Sequence, residues 1–154
     1  MKPLLFSLLI IIMSSCASSN KKEKLSAEKK KANIYYNQGT NELIQKNFTI
    51  GLKHLLEANA LDPNNSQILN NLGMAYYFKK KPDRAIRVIK KAVEVDPKNT
   101  EARINLGTIY TNKGNYLEAQ QQYNVALDDL VYQKQFKTYF NLGILNLKQN
   151  KRVE

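Results

Sequence analysis

The chain has 154 residues, of which 43% are hydrophobic and 24% are charged, and its formal net charge is +11. This balance excludes an intrinsically disordered chain, because the apolar fraction is high enough to form a core. A single cysteine and a single histidine exclude an internal disulfide framework and provide no ligand set for zinc.

The first element is an apolar segment with the layout of a secretory signal peptide. Lys2 supplies one positive charge, a ten-residue run from Leu4 to Met13 is interrupted only by Ser7, and small residues come next. The run is too short to span a bilayer, which needs about 20 apolar residues. We therefore expect residues 1–15 to be a signal peptide and the protein to be exported.

The only cysteine lies at the end of this segment, in the sequence Met13-Ser14-Ser15-Cys16. This sequence resembles the lipobox of bacterial lipoproteins, with Met13 where leucine is usual. The resemblance implies acylation (palmitate) at Cys16 and, with Ala17 next, an outer-membrane lipoprotein that faces the periplasm. The alternative is cleavage after Ala17, which would leave a soluble periplasmic protein.

The next segment of the chain is basic. Between Lys21 and Lys31 there are six lysines and two glutamates, and no apolar pattern is long enough to be buried. We expect residues 16–31 to form the lipidated N-terminus and a flexible tether that lets a folded domain stand off the membrane. No nucleic-acid-binding motif accompanies these lysines, so we expect no nucleic-acid partner.

From residue 32 to residue 154 the chain repeats itself. Asn-x-Gly tripeptides begin at Asn37, Asn71, Asn105 and Asn141, at spacings of 34, 34 and 36 residues. The second unit contains Leu69, Leu72, Gly73, Tyr76, Ala85, Ile89, Ala92 and Pro97.

This pattern resembles the tetratricopeptide-repeat (TPR) family, whose units are helix pairs that bury their apolar faces only by stacking. The resemblance implies an all-α solenoid of about three and a half repeats. The units are 32–65, 66–99, 100–135 and a partial unit 136–154.

The turn signals within the units place the helix ends. Asp62-Pro63 and the matching Asp-Pro of the second unit end second helices, because the residue before proline avoids the helical region. Asn65 and Asn99 suit the N-cap position of the next helices. The last helix is either a polar capping helix or the end of a shortened chain. The predicted helices are 33–46, 49–61, 67–80, 83–95, 101–113, 116–131 and 136–149.

No constellation of residues predicts catalysis. His54 is the only histidine, and the chain contains neither a Gly-x-Ser-x-Gly turn nor a phosphate-binding loop. We therefore expect no enzyme activity, no cofactor, no metal site and no small-molecule substrate.

The resemblance to TPR proteins implies a concave groove lined by the first helix of each unit. The groove has aromatic and aliphatic side chains, few charges and no set of basic residues that would clamp a terminal carboxylate. It therefore favours an apolar segment of another protein as the ligand. The alternative is that several of these side chains only pack between units. The groove residues carried over are Tyr36, Thr40, Asn70, Met74, Tyr77, Phe78, Ile104, Thr108, Thr111, Phe140 and Ile144.

The order of signal peptide, lipobox, basic tether and tandem repeats resembles the type IV pilus biogenesis lipoproteins, the pilotins of the PilF/PilW/Tgl family. The sequence from Ala58 to Asn65 and the segment from Tyr139 to Gly143 carry this resemblance. It implies a lipid-anchored, non-catalytic scaffold that assists assembly or localisation of an outer-membrane secretin. The alternatives are a general periplasmic adaptor that recruits an envelope protease or synthase, and a structural envelope protein that contacts anionic surfaces.

Overall fold

Seven α-helices make up the described part of the chain, and its backbone contains no β-strand, which confirms the all-α prediction. The computed structural model describes the backbone of residues 4–150 and the side chains of residues 22–150. The predicted signal peptide and Cys16 lie outside the residues whose side chains are described. The helices are α1 (Leu4–Ile44), α2 (Phe48–Leu61), α3 (Ser66–Phe78), α4 (Pro82–Val95), α5 (Thr100–Lys113), α6 (Tyr116–Leu127) and α7 (Gln135–Asn150).

Asparagine side chains cap the N-termini of α3 and α5, the first helices of the two inner units. The Asn65 side chain accepts hydrogen bonds from the backbone amides of Gln67 and Ile68, at 3.1 and 3.2 Å. The Asn99 side chain accepts one from the amide of Ala102 at 3.0 Å. Both predicted N-caps are confirmed, and α2 and α4 end just before the two Asp-Pro pairs as predicted.

The first helix differs from the expectation of a flexible tether at residues 16–31. Helix α1 is continuous through Lys22 to Lys31, and these side chains are mostly exposed. The segment is rich in lysine and glutamate, which are good helix formers, and no glycine or proline interrupts it. Absence of burial therefore did not prevent helix formation, because α1 is already ordered by packing from Ala32 onward.

Helix α6 ends at Leu127, four residues before the predicted end. The backbone turns here, and Asp129 fastens the turn to its neighbours. Its side chain accepts hydrogen bonds from the Thr100 hydroxyl and from the amide of Val131, and its carbonyl accepts one from the Gln135 side chain at 3.0 Å. Asp129 is therefore an anchor of this loop.

In each helix pair, a glycine of the first helix lies where the two helices come closest together. A Cβ placed on Gly73 would lie 2.3 Å from the Ile89 side chain, and one on Gly107 would lie 2.5 Å from the Tyr123 ring. Both partner side chains are almost fully buried, so neither can move aside. These glycines therefore allow the paired helix to approach closely.

The pairs stack into a curved array. The backbones of α1, α3, α5 and α7 approach one another in sequence, whereas those of α2, α4 and α6 stay apart from each other. The first helices therefore lie closer together and form the concave side. Helix α7 packs on α6 and α5 through Thr138 and Leu145, both fully buried, but exposes Phe136, Tyr139 and Leu147. It is therefore not a polar cap.

Candidate functional site

A chain of side-chain hydrogen bonds links the first helices across the concave side, and we call it the asparagine ladder. The Asn105 side-chain amide donates to Asn70 at 2.9 Å, and Asn70 donates to Asn71 at 3.3 Å. Asn71 donates to the Thr40 hydroxyl at 2.9 Å, and Thr40 donates to the Tyr36 carbonyl at 2.8 Å. These bonds fix the spacing of α1, α3 and α5.

The ladder is repeated between the last two first helices. The Asn141 side chain donates to the Thr108 hydroxyl at 3.3 Å, and Thr108 donates to the Ile104 carbonyl at 2.9 Å. The asparagine of each Asn-x-Gly tripeptide after the first thus bonds to the preceding unit. A regular, pre-organised surface results.

An apolar cavity of about 320 Å³, the C-terminal cavity, lies on this surface between α5 and α7. Its two phenylalanines, Phe136 and Phe140, are each 68% exposed although they are large and apolar. Two exposed aromatic rings beside a concavity form a surface that a polypeptide side chain can bury. The lining residues are Glu101, Ile104, Asn105, Thr108, Phe136, Lys137, Phe140 and Asn141.

One carboxylate anchors the C-terminal cavity. Glu101 pairs with Lys137 at 2.8 Å and accepts a hydrogen bond from the Tyr132 hydroxyl. Burial acts to raise the pKa of Glu101, but the bonds from Lys137 and Tyr132 outweigh it, and the net pKa is lowered. Burial and then the bond to Glu101 raise the pKa of Tyr132. An ionised Glu101 thus holds α7 and its preceding loop against α5.

A larger cleft of about 680 Å³, the N-terminal cleft, lies where α1 passes the start of α3. Tyr36 and Leu25 line it together with three lysines, Lys22, Lys29 and Lys30. The sequence predicted few charges in the groove because these lysines were assigned to the tether. Helical extension of α1 places them beside the predicted groove residue Tyr36.

An aromatic edge is formed by Phe48, Tyr77 and Phe78 at the far ends of the helices. The rings of Phe48 and Phe78 stack with their centroids 4.8 Å apart, and those of Tyr77 and Phe78 lie 6.0 Å apart. The Tyr77 hydroxyl accepts a hydrogen bond from the Asn112 side chain at 2.7 Å. A cleft of about 590 Å³ borders this edge.

The remaining predicted groove residues lie deeper. Asn70, Ile104 and Thr111 are 5%, 3% and 3% exposed, so they belong mainly to the packed interior. Thr111 donates to the Gly107 carbonyl and lies 3.3 Å from the Tyr123 hydroxyl.

Two other predicted groove residues stay half-buried. Met74 packs against the core cluster of α3, α4 and α5. Ile144 is half-buried on α7. The structure therefore brings Thr108 and Phe140 together in the C-terminal cavity, with Ile104 at its floor, and separates them from Tyr77 and Phe78.

The residues that could carry other chemistry are few. His54 stacks on Tyr35 with ring centroids 6.1 Å apart and is a packing residue. Among the described residues, no group of three potential metal ligands converges. Within the same part of the chain, no helix is both long and apolar enough to cross a membrane.

Sequence reasoning missed three residues of this surface. Asn105 and Asn141 build the ladder and line the C-terminal cavity, and Phe136 supplies one of its exposed rings. The asparagines were visible as part of a repeated tripeptide but were used only to find the repeat. Phe136 stands at the first position of its unit, where the other units have Ala32, Ser66 and Thr100, so the repeat gave no sign of it.

Comparison with known proteins places the chain in a family. Two sequence profiles described as tetratricopeptide repeat match residues 54–87 and residues 79–131, and together they cover about half of the chain. No curated protein sequence matches.

Solved structures extend the similarity of the fold. Pseudomonas aeruginosa PilF superposes with a TM-score of 0.76 at 23% identity, over 81% of this chain and 56% of that chain. The first TPR domain of Spaghetti (RPAP3), bound to an HSP90 peptide, gives 0.71 at 20% identity, over 79% and 95%. The Yersinia enterocolitica type III secretion chaperone SycD, bound to a peptide of the translocator YopD, gives 0.67 at 18% identity, over 78% and 93%.

Three observations indicate the same family: the close helix contacts at the repeated glycines, the stacking of the helix pairs, and the matches to sequence profiles and solved structures. The chain belongs to the tetratricopeptide-repeat family.

Proposed function

We propose that the chain is a non-catalytic scaffold whose concave side binds an apolar segment of another protein. The C-terminal cavity is the observation that carries this proposal, because it keeps Phe136 and Phe140 68% exposed beside a rigid hydrogen-bonded frame. Exposed aromatic rings on a pre-organised surface are typical of binding hot spots.

The shape of the concave side favours a short polypeptide as the ligand. The Spaghetti and SycD structures each hold a peptide on a similar helical array. In this chain the N-terminal cleft is basic and the C-terminal cavity is apolar, so the preferred segment has acidic residues toward one end and large apolar residues toward the other.

The finer proposal is a lipid-anchored envelope protein that assists assembly or localisation of a type IV pilus secretin. The signal-peptide layout and the lipobox at Cys16 support export and anchoring. Similarity to the PilF/PilW/Tgl pilotins in the order of these segments supports the partner. The rival is a general periplasmic adaptor for an envelope protease or synthase.

A pull-down from envelope extract, using the whole chain as bait, tests the partner. Secretin subunits are recovered with the wild type and lost with the double variant Tyr77→Ala and Phe140→Ala, because Phe140 is an exposed ring and Tyr77 lines an open cleft. Leu117→Ala is the matched control, since Leu117 is 69% exposed on α6 and lines none of the described clefts.

Three outcomes decide between the proposals. Secretin subunits retained by the double variant as well as by the wild type contradict the concave side as the site. Recovery of only proteases or synthases, lost in the double variant, favours the adaptor. If the substitution of Tyr77 and Phe140 causes no captured protein to be lost, the scaffold proposal itself is overturned.

Anchoring is tested separately by Cys16→Ala. The variant is expected in the soluble periplasmic fraction because it lacks the thiol that receives the lipid. Unchanged fractionation with the membrane contradicts lipidation, and the concave-side proposal stands whichever result is obtained.

A further inference from the structure

The turns within helix pairs and the loops between pairs differ in net charge. The turns within pairs, residues 45–47, 79–81 and 114–115, contain four lysines and no carboxylate. The loops between pairs, residues 62–65, 96–99 and 128–134, contain four aspartates and two lysines. Because the helices of a pair are antiparallel, the turns and the loops lie at opposite ends of the helices. We call residues 45–47 and 79–81 the basic turns.

The two basic turns border one shared cleft of about 430 Å³. The Lys79 ammonium donates a hydrogen bond to the Thr49 hydroxyl at 2.8 Å and so ties the turn of the second unit to the start of α2. None of the described residues that line the cleft is a carboxylate. Its charged and large apolar lining residues are Lys46, Phe48, Ile50, Phe78, Lys79 and Lys80. The cleft therefore presents cations and apolar groups side by side.

Three lysines of the basic turns keep their charge unpaired within the described part of the chain. Lys46, Lys80 and Lys81 are exposed and form no ion pair with a described carboxylate. At the adjoining helix ends, Asp83 is paired with a lysine of α5, and Glu42 accepts a hydrogen bond from an asparagine side chain of the first basic turn. Three unpaired lysines against the single charge of Glu42 leave this surface positive.

The backbone shows that two of these lysines occupy a conformation that glycine prefers. Lys46 and Lys80 have φ angles of 65° and 58°, and Gly114, at the same position of the third unit, has a φ angle of 81°. Glycine adopts this left-handed conformation without the steric cost that a side chain brings. The chain thus keeps two cations on this surface despite backbone strain, and such strain is concentrated at functional sites.

Exposed apolar side chains flank the lysines. Ile44, the last residue of α1, is 74% exposed, and Ile50, in the first turn of α2, is 48% exposed. Phe78, the last residue of α3, is 37% exposed.

This combination of lysine and exposed apolar groups favours a lipid surface over a protein partner. Protein–protein interfaces are depleted in lysine. Lysines next to aliphatic and aromatic groups are typical of surfaces that bind anionic membranes, because the lysine stem lies along the apolar region while its ammonium reaches the headgroups. The charge of the basic turns is complementary to that of anionic headgroups.

We propose that the basic turns, together with Ile44, Ile50 and Phe78, dock on the surface of an anionic lipid bilayer. The lysines contact the headgroup phosphates, and the three apolar side chains reach the boundary of the acyl chains. This contact is separate from the anchoring proposed at Cys16, because Ile44 lies about 33 Å along α1 from Lys22. The docked residues lie at the helix ends, so the concave side stays open to a polypeptide ligand.

The chain contains no tryptophan, so a single introduced tryptophan reports on its own surroundings. The reporters are Ile44→Trp and Ile50→Trp. The matched control is Leu130→Trp, which replaces an 88% exposed residue between α6 and α7, at the other end of the helices. Each whole chain is mixed with vesicles of phosphatidylcholine alone or of phosphatidylcholine and phosphatidylglycerol, with bromine on the acyl chains. Quenching of the tryptophan by bromine measures contact with the acyl region.

Both reporters are expected to be quenched by the anionic vesicles and not by the neutral ones, and the quenching should fall at about 1 M salt. Leu130→Trp should stay unquenched with either vesicle. Quenching of all three variants alike, or equal quenching of the reporters by neutral vesicles, overturns the proposal. Absence of quenching at both reporters also overturns it, even where the apolar residues 4–13 hold the chain on the vesicle, and assigns the basic turns to a soluble acidic partner.

Glycine variants test the lysines while retaining the fold. Lys46→Gly with Lys80→Gly gives both turns the residue that the third unit has at this position. Each lysine near an anionic surface raises affinity about fivefold, so the lipid concentration at half-maximal reporter quenching should rise about 25-fold. Lys90→Gln with Lys98→Gln removes the same charge from exposed lysines outside the basic turns and should change it little. Equal effects of the two double variants would show that net charge alone attracts the chain, and would overturn the proposal.

Discussion

The inner helix pairs and the last helix carry the same sequence signature in opposite environments. Gly73 and Gly107 lie against buried side chains of their paired helices, whereas Gly143 faces open space among the described residues. The Asn-Leu-Gly segment therefore indicates only that its own helix can accept a paired helix. The presence of that second helix depends on other residues, which the segment does not specify.

The largest expected difference between an inner helix pair and the last helix is in the stability lost when an equivalent apolar side chain is truncated. Leu69→Ala removes a residue that is 3% exposed and is expected to destabilise the protein by about 2–5 kcal/mol. Tyr139→Ala, at the same position of the last unit, is expected to cost no more than about 0.5 kcal/mol because Tyr139 is 61% exposed. Urea unfolding monitored by circular dichroism measures both.

Equal losses for the two variants would contradict this comparison. A large loss at Tyr139 alone would mean that the Tyr139 side chain is covered in solution. In that case the loss should depend on protein concentration if a second copy is responsible.

The glycines themselves should respond with opposite sign. Gly73→Ala is expected to lower stability by about 1–2 kcal/mol, because overpacking against Ile89 exceeds the gain in helix propensity. Gly143→Ala is expected to raise stability by up to about 1 kcal/mol, since only the propensity changes there. The midpoints of urea unfolding should therefore move in opposite directions.

A stabilising effect of Gly73→Ala would show that Ile89 can move aside and that the contact between Gly73 and Ile89 is not tightly packed. A destabilising effect of Gly143→Ala would show that the space beside Gly143 is occupied in the isolated protein.

The repeated part of the fold could be predicted from the sequence because its signals are local and recur. The Asp-Pro pairs and the N-cap asparagines at 65 and 99 fixed helix ends to within one or two residues in the inner units. The helical state of residues 22–31 could not be predicted by a burial argument, since it rests on propensity and continuity with a packed helix. The early end of α6 depends on the tertiary bond between Asp129 and Thr100.

The site was predicted less well than the fold, for a physical reason. Carrying groove positions from unit to unit assumes that equal positions have equal exposure. Thr111 and Tyr77 occupy the same position, yet Thr111 is buried against Tyr123 whereas Tyr77 lines an open cleft. Side-chain length and the neighbouring second helix decide which of two equivalent residues reaches the surface, and neither is visible in the repeat pattern.

The asparagine ladder gives a smaller contrast between the inner and outer parts of the array. Asn105→Ala removes the hydrogen bond to Asn70 and is expected to cost about 1 kcal/mol. Asn37→Ala changes the equivalent residue of α1, the first helix of the array, which has no preceding first helix to bond, and should cost no more than about 0.5 kcal/mol. Thermal unfolding of the two variants under one condition makes the comparison. Equal effects would mean that the ladder adds nothing beyond the helix itself.

The smallest expected effect concerns the bond that holds α7 to α5. Because the folded-state pKa of Glu101 is lowered from its ordinary value of 4.5, its ionised form stabilises the protein above that pH. This stabilisation is lost as the pH falls through the lowered folded-state pKa. Glu101→Gln should therefore lower Tm at neutral pH, and the difference from wild type should shrink as the pH falls below about 4.5.

The same difference should also shrink at about 1 M salt, because the side chains of Lys137 and Glu101 are 37% and 40% exposed and therefore screened. Glu94→Gln, which removes one exposed carboxylate from α4, controls for the change in net charge. A Tm difference between wild type and Glu101→Gln that stays constant from neutral to acid pH would show that Glu101 acts by packing alone. The ordering of α7, and with it the C-terminal cavity, would then have to depend on the packing of Thr138 and Leu145 without help from charge.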